Sequence, residues 1–251
     1  MTITGQEELE GLRQIGRIVS QTLQRMREEA RPGMTTRELD EIGLSVLEKA
    51  GARSAPILAY NFPGATCISI NEEIAHGIPG DRVMKEGDVV NVDVSAEYNG
   101  FYADTGCSFV LEPVPESTHH LLECGRNALK QALKVAKHGR YLNEVGQVIE
   151  QIAVENGFKP IRNLGSHGVG RKLHEEPSFI PGFYAPFDRR RFEEGMVVTI
   201  EPFLSTDTNV AVEASDGWTL KGPSGNLSAQ FEHTIVITRD EPIILTENPY
   251  I

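Results

Sequence analysis

The two halves of this chain carry the same sequence pattern, displaced by 106 to 109 residues. A segment that opens at Gly33 matches one that opens at Gly139, and the apolar run after Gly87 matches the run after Gly195. The matched segments follow the same order in both halves, and each unit is too long for a solenoid repeat. The pattern therefore predicts two α/β halves related by a pseudo-two-fold axis, with any site lying on that axis.

The spacing of apolar residues predicts the elements within each half. Leu12, Ile15 and Val19 recur at helical spacing in a helix predicted over residues 6–30, and Thr35 or Thr36 is expected to cap the next helix. Further helices are predicted over 119–138 and 142–156, and strands over 66–71, 88–96, 101–110, 196–203, 210–214 and 228–238. No linker separates the halves, so we predict a single catalytic domain over residues 1–251.

The composition argues against several classes of partner. A net charge of −12 disfavours nucleic acid and anionic membranes, and the basic run at 189–191 is short and flanked by acids, as in a solvated loop. Three cysteines without a C-x-x-C pair indicate a reduced, cytoplasmic protein without disulfides. Residues 1–17 lack the apolar region of a signal peptide, and no apolar run reaches membrane-spanning length. A monomer is expected.

Five polar residues lie in apolar, strand-like surroundings, where they would normally be unfavourable: Asp93, Asp104, His167, Glu201 and Glu232. A buried, unpaired carboxylate is costly, so such groups are usually paired or bound to a metal ion. Each residue taken alone has an ordinary alternative, such as a turn acid or a surface histidine in a Gly-rich loop. Four acids and one imidazole that converge would instead form an oxygen-rich site for two divalent ions.

The spacing of the first two acids supports this interpretation. Asp93 and Asp104 flank a hairpin signal at Asn99-Gly100, so they should lie within a residue or two of facing each other, about 5 Å apart across the strands. Carboxylates with one imidazole and no thiolate favour Mn, Fe(II), Co or Zn in a reactive rather than a structural site.

Seven segments together match one family pattern: residues 67–79, 91–94, 104–106, 165–170, 174–177, 199–202 and 230–234. Among them, 165–170 reads Gly-Ser-His-Gly-Val-Gly and 199–202 reads Thr-Ile-Glu-Pro. On these motifs the chain resembles the type I methionine aminopeptidases over essentially its whole length. The resemblance implies the pita-bread fold, an α/β arrangement of two related halves with antiparallel sheets around a dinuclear metal site.

The resemblance also implies an activity and a role for each site residue. The activity is hydrolytic removal of the initiator methionine from nascent proteins, by water activated between two divalent ions (Co, Mn, Fe(II) or Zn). It assigns metal ligation to Asp93, Asp104, His167, Glu201 and Glu232, with Asp104 and Glu232 bridging both ions and Glu201 also acting as general acid and base. It further assigns His174 to the developing oxyanion and His76 to the scissile amide.

The methionine pocket implied by the resemblance has an apolar, partly aromatic lining. The lining residues are Phe62, Cys67, His76, His174 and Trp218, together with Tyr60. Two departures from the family pattern affect its shape. The loop over 58–63 is one residue shorter, which leaves the role of Tyr60 open, and Leu173 stands where many members carry Phe.

Two alternatives remain at this point. Xaa-Pro peptidases and prolidases share the fold and the five ligands, but they usually carry a large additional N-terminal domain. Non-catalytic proteins of the same fold bind proteins or RNA and have typically lost several ligands. Retention of all five ligands favours the peptidase, whose partners would be the N-termini of nascent polypeptides, at the ribosome or after release.

Overall fold

The chain folds into five helices and fifteen mostly short strands, and the computed structural model describes residues 1–251. The helices are α1 (Gln6–Glu29), α2 (Thr36–Lys49), α3 (Ala55–Tyr60), α4 (Glu116–Val135) and α5 (Leu142–Glu155). The strands are β1 (Arg53–Ser54), β2 (Cys67–Ile70), β3 (Glu73–Ala75), β4 (Val89–Tyr98), β5 (Phe101–Val110), β6 (Lys159–Pro160), β7 (Gly165–Gly168), β8 (Glu175–Pro181), β9 (Val197–Ile200), β10 (Phe203–Ser205), β11 (Val212–Glu213), β12 (Leu220–Lys221), β13 (Ser228–Gln230), β14 (His233–Val236) and β15 (Ile243–Ile244). None of the helices combines the length and the apolar character that crossing a membrane requires.

Each half contributes one main antiparallel sheet. In the first half, β4 pairs with β1, β2 and β5, and in the second half the strand order is β15-β14-β9-β7-β8. Helix α1 packs on β4 and β5, and α4 packs against α5. One buried cluster includes Leu12, Phe109 and Phe231, so apolar residues of both halves share a core. Burial of this core fixes the two sheets relative to each other, which is what a site built from both requires.

The predicted internal repeat recurs in the backbone geometry. Gly33 has a φ of 90° and donates its N–H to Met84 O at 2.8 Å, while the equivalent Gly139 has a φ of 82° and donates to Phe192 O at 2.9 Å. Both glycines adopt the left-handed conformation that other residues rarely tolerate. In the helix after each, a glutamate three residues beyond the N-cap accepts from the N-cap N–H at 2.8 Å (Thr35 to Glu38, Tyr141 to Glu144), and in α2 the Thr35 hydroxyl completes a capping box.

Two strands predicted as continuous are interrupted beside a candidate ligand. The run predicted over 196–203 ends at Ile200 and resumes at Phe203, because Pro202 has no N–H for a ladder hydrogen bond. The run over 228–238 breaks between β13 and β14, where the N–H of Glu232 donates instead to Gly106 O of the other half at 2.9 Å. Both glutamates therefore lie just outside the regular strands, in the gaps between consecutive strand segments.

Other predicted boundaries shift. The helix predicted over 119–138 ends earlier, at Val135. His138 therefore lies in the turn that follows α4. The short helix α3 was not predicted from the sequence, and it is capped by Ser54, whose hydroxyl accepts from Ile57 N at 3.4 Å, with Pro56 in its first turn. This helix carries Tyr60 to the rim of the pocket.

Candidate active site

The β4–β5 hairpin presents two acids on one face. Asp93 is paired with Gly106 and Asp104 with Ser95, so the two acids are offset by two residues across the ladder, as their spacing predicted. Residues two apart on a strand share a face of the sheet. The hairpin therefore delivers both carboxylates of the first half to the same side.

The second half supplies the remaining three side chains. His167 lies in β7, a strand and not the loop expected from its glycines, and Glu201 directly follows β9. Glu232 is joined to the hairpin by its N–H bond to Gly106, and Thr234 Oγ1 donates to Asp104 O at 2.7 Å. These hydrogen bonds connect the two halves at the point where the acids meet.

Four of the five side chains are buried close together, and Asp93 is half-buried beside them. Ligand atoms of Asp104, His167 and Glu232 lie within 4.8 Å of one another, and His167 Nε2 is 3.5 Å from Glu201 Oε1. Asp104 Oδ1 and Glu232 Oε1 are buried without any hydrogen-bond partner. Buried polar atoms are normally satisfied, so these orphaned oxygens call for a bound cation. Divalent ions therefore fit the cluster, with Asp93 beside it.

The electrostatics lead to the same conclusion. Burial first, and the charges of neighbouring acids second, raise the pKa values of Asp104, Glu201 and Glu232 well above the ordinary carboxyl range. Burial also raises the pKa of Asp93. Four carboxylates cannot all ionise in so small a volume without counter-charge. Positive ions would remove this repulsion and allow all four to act as ligands.

His167 is held in the form that a metal ligand requires. Burial lowers its pKa to about 3, so the imidazole is neutral at physiological pH. Its Nδ1 lies 2.9 Å from Gly168 O, and because a carbonyl can only accept, Nδ1 carries the proton. The lone pair is therefore on Nε2, which faces Glu201 and Asp104.

A cavity of about 390 Å³ opens onto the cluster. Every residue expected in the substrate pocket lines it: Tyr60, Phe62, Cys67, His76, His174 and Trp218, with Leu173 beside them. The rings of Phe62 and Trp218 meet edge to face with centroids 5.2 Å apart. The cavity therefore has an aromatic wall that leads to an acidic floor, which carries Asp93, Asp104 and Glu201.

The two pocket histidines differ in how they are held. His76 has a φ of 54°, a conformation that costs energy for a residue with a side chain and is typical of functional sites. His174 lies with its ring centroid 4.1 Å from that of His167, and its Nδ1 is 2.6 Å from Tyr60 Oη. Both side chains are accessible to solvent from the cavity, but desolvation by the surrounding walls lowers the pKa values of both, so both are neutral near pH 7.

Three supporting residues were not assigned a role from the sequence. Gln230 Nε2 donates to Asp93 Oδ2 at 3.1 Å and to Glu232 Oε2 at 3.2 Å. Asn91 Nδ2 donates to Gln230 Oε1 at 2.8 Å, and Thr199 Oγ1 donates to Glu201 Oε1 at 2.8 Å. Each of the three stands two positions before an acid, on the same strand face. A polar residue two positions before an acid, in an otherwise apolar strand, is the sequence signal that could have identified these supporting residues.

We expect Gly106→Ala to disturb the cluster through Gln230. A Cβ at position 106 would lie 2.4 Å from Gln230 Oε1, and this side chain cannot move without breaking its bonds to Asn91 and the two acids. Such overpacking costs about 1–3 kcal/mol, so thermal unfolding should shift to lower temperature and divalent-ion affinity should fall. Gly182→Ala is the matched control, because a Cβ there meets nothing within 4 Å. Equal behaviour of the two variants would show that Gln230 does not constrain the site.

A pocket with two neutral histidines above a buried cluster of four acids and one imidazole is the arrangement of a metal-dependent hydrolase. Residues 10–239 match the model of metallopeptidase family M24. The chain belongs to this family.

Within this family, the chain is similar over its whole length to proteins named methionine aminopeptidase. The chain is 51% identical to methionine aminopeptidase 2 of Bacillus subtilis over 248 residues, which covers 98% of this chain and 100% of the relative. The crystal structure of methionine aminopeptidase from Thermotoga maritima superposes with a TM-score of 0.93 at 35% identity, covering 99% of this chain and 100% of that one. Prolidase from Pyrococcus furiosus gives a TM-score of 0.79 at 25% identity, with 98% of this chain but 66% of the prolidase covered. The expected pita-bread fold is confirmed.

Proposed function

We propose that the protein is a type I methionine aminopeptidase that removes the N-terminal methionine of newly made polypeptides with the help of two divalent ions. The observation that carries this proposal is the aromatic cavity ending on the four-acid, one-histidine cluster. The full-length similarity to enzymes named methionine aminopeptidase supports it. The compact chain, without a long insertion before its last strands, supports the type I assignment. We infer a cytoplasmic monomer.

The cavity suits a methionine at a chain terminus. Phe62, Trp218 and Phe203 offer aromatic surface, and a thioether makes favourable contacts with aromatic rings. The acidic floor attracts the ammonium group of a free N-terminus. Together these features favour an N-terminal methionine over an internal one.

Asp93, Asp104, His167, Glu201 and Glu232 are the proposed ligands of the ions. Their hard oxygens and single imidazole suit Mn, Fe(II), Co or Zn. When bound, such ions act as Lewis acids that make hydroxide available near neutral pH.

The side chains of the protein then move the proton and hold the substrate. Thr199 engages Glu201 Oε1, which leaves Oε2 to accept a proton from the attacking water and to return it to the leaving amine. His174 donates a hydrogen bond to the carbonyl oxygen as negative charge develops there, and His76 contacts the scissile amide.

We expect the protein, reconstituted with Mn, Co or Fe(II), to release free methionine from Met-Ala-Ser and not from its N-acetylated form. Acetylation removes the ammonium charge that the acidic floor should attract, while the side chain and scissile bond stay the same. Methionine release measured by chromatography, with metal-free protein as the blank, decides the outcome.

Ala-Pro and Gly-Pro peptides separate the proposal from its nearest alternative. Their cleavage in place of Met-Ala-Ser would make the protein a proline-directed peptidase, and the methionine assignment would be wrong. No cleavage of any peptide with any metal would favour a binding protein of the same fold.

A further inference from the structure

Tyr60 makes a contact that a simple pocket-wall residue would not need. Its hydroxyl lies 2.6 Å from His174 Nδ1, while the two rings are tilted by 50° with centroids 5.6 Å apart. The Tyr60 side chain is not held there by burial, because the residue is 45% exposed. The hydrogen bond, at the edge of the imidazole, is therefore the main interaction that orients the two groups.

The shortened 58–63 loop brings this hydroxyl into place. Tyr60 is the last residue of α3, and Asn61 ends the helix in a left-handed conformation with a φ of 54°. Ser54 and Pro56 fix the start of the same helix. The position of Tyr60 thus follows from a short helix with defined ends.

The direction of the hydrogen bond follows from acid–base strength. Partial desolvation at the rim of the cavity raises the pKa of Tyr60 above its usual value near 10, so the phenol stays protonated at neutral pH. Above pH 7 an ordinary histidine is neutral, with one N–H and one basic nitrogen. A phenol is a strong donor and a weak acceptor compared with imidazole. The favourable arrangement is O–H donation from Tyr60 to Nδ1.

We propose that Tyr60 is a positioning residue that holds His174 with its proton on Nε2, directed for donation to the carbonyl oxygen of the substrate. Nε2 has no hydrogen-bond partner within the protein, so its N–H is free for this use. This role rests on the proposed function, in which His174 stabilises the oxyanion. It differs from the substrate contact that the sequence suggested for Tyr60, because the tyrosine acts through His174.

Tyr60→Phe tests the role kinetically, since it keeps the ring and removes only the donor. We expect kcat for Met-Ala-Ser to fall about five- to tenfold, with KM changed less than about twofold, because the bond matters most when charge develops on the oxygen. Tyr184→Phe is the matched control, since Tyr184 is 44% exposed and does not line the cavity.

Nitrogen-15 NMR tests the tautomer without any catalysis. Metal-free protein labelled at histidine nitrogen is measured at pH 8, and the His174 signals are those missing from His174→Ala. The wild-type protein should show a protonated Nε2 and an unprotonated Nδ1. In Tyr60→Phe the nitrogen-15 chemical shifts of His174 Nδ1 and Nε2 should both move toward the averaged values of a mixture of the two tautomers.

A proton on Nδ1 in the wild type, or unchanged His174 shifts in Tyr60→Phe, would overturn the proposal. A shift change without a fall in kcat would also overturn it, because the bond would then position nothing used in the reaction. Failure of the proposed function would give a different result, because the wild-type protein would then release no methionine. The nitrogen-15 chemical shifts of His174 would still show which tautomer is present.

Discussion

Glu201→Gln should lower kcat for methionine release by about a thousandfold or more, while the metal-free protein becomes more stable. The amide keeps the shape of the side chain and its bond to Thr199, but it cannot carry the proton that the reaction moves. It also removes one of the clustered acids, since burial first and the charge of Asp93 second raise the pKa of Glu201 in the metal-free protein. Activity and stability therefore move in opposite directions, which a misfolded variant would not show.

The measurement combines peptide kinetics with thermal unfolding of metal-free protein and with metal analysis of the loaded protein. Glu86→Gln is the control, because Glu86 is exposed in the loop before β4. If Glu201→Gln retained a tenth of the wild-type kcat, Glu201 would not be the general acid and base.

The metal-free protein should lose stability as the pH rises above about 7, where the buried histidines are already neutral in both the folded and the unfolded chain, and divalent ions should reverse the loss. The pKa values of Asp104, Glu201 and Glu232 are raised in the folded protein, so between the ordinary carboxyl pKa near 4 and these raised values the folded state binds more protons than the unfolded state. Stability then falls with increasing pH. The stability that these three acids contribute is fully present below about pH 4 and is lost as the pH rises through their raised pKa values.

Bound ions replace the missing protons as counter-charge. At a thousandfold excess over the dissociation constant, an ion that binds only the folded state adds about 4 kcal/mol, which for a chain of this size raises the unfolding midpoint by about 10 °C. Calorimetry at about pH 7 and about pH 8.5, with and without Mn or Zn, tests both statements. A metal-free protein more stable at the higher of these two pH values would contradict the electrostatic account of the cluster.

The sequence was most informative where chemistry and spacing coincided. The offset of Asp93 and Asp104 followed from a hairpin signal, and the matched glycines at 33 and 139 followed from the repeat. The strand break beside Glu201 is marked in the sequence by Pro202, whereas the break beside Glu232 could not be predicted from apolar periodicity, because it depends on a hydrogen bond to the other half. The bond between Tyr60 and His174 depends on a six-residue helix too short to carry a periodic signal.

The distribution of the proposed ligands along the chain has a consequence for biosynthesis. Asp93 and Asp104 leave the ribosome more than a hundred residues before Glu232, and Gln230, which bonds to Asp93, emerges equally late. A partly synthesised chain thus carries the first acids but lacks their partners. If these residues hold the metal, loading follows synthesis of nearly all of the five-ligand set, and an unfinished copy of the chain is expected to be inactive.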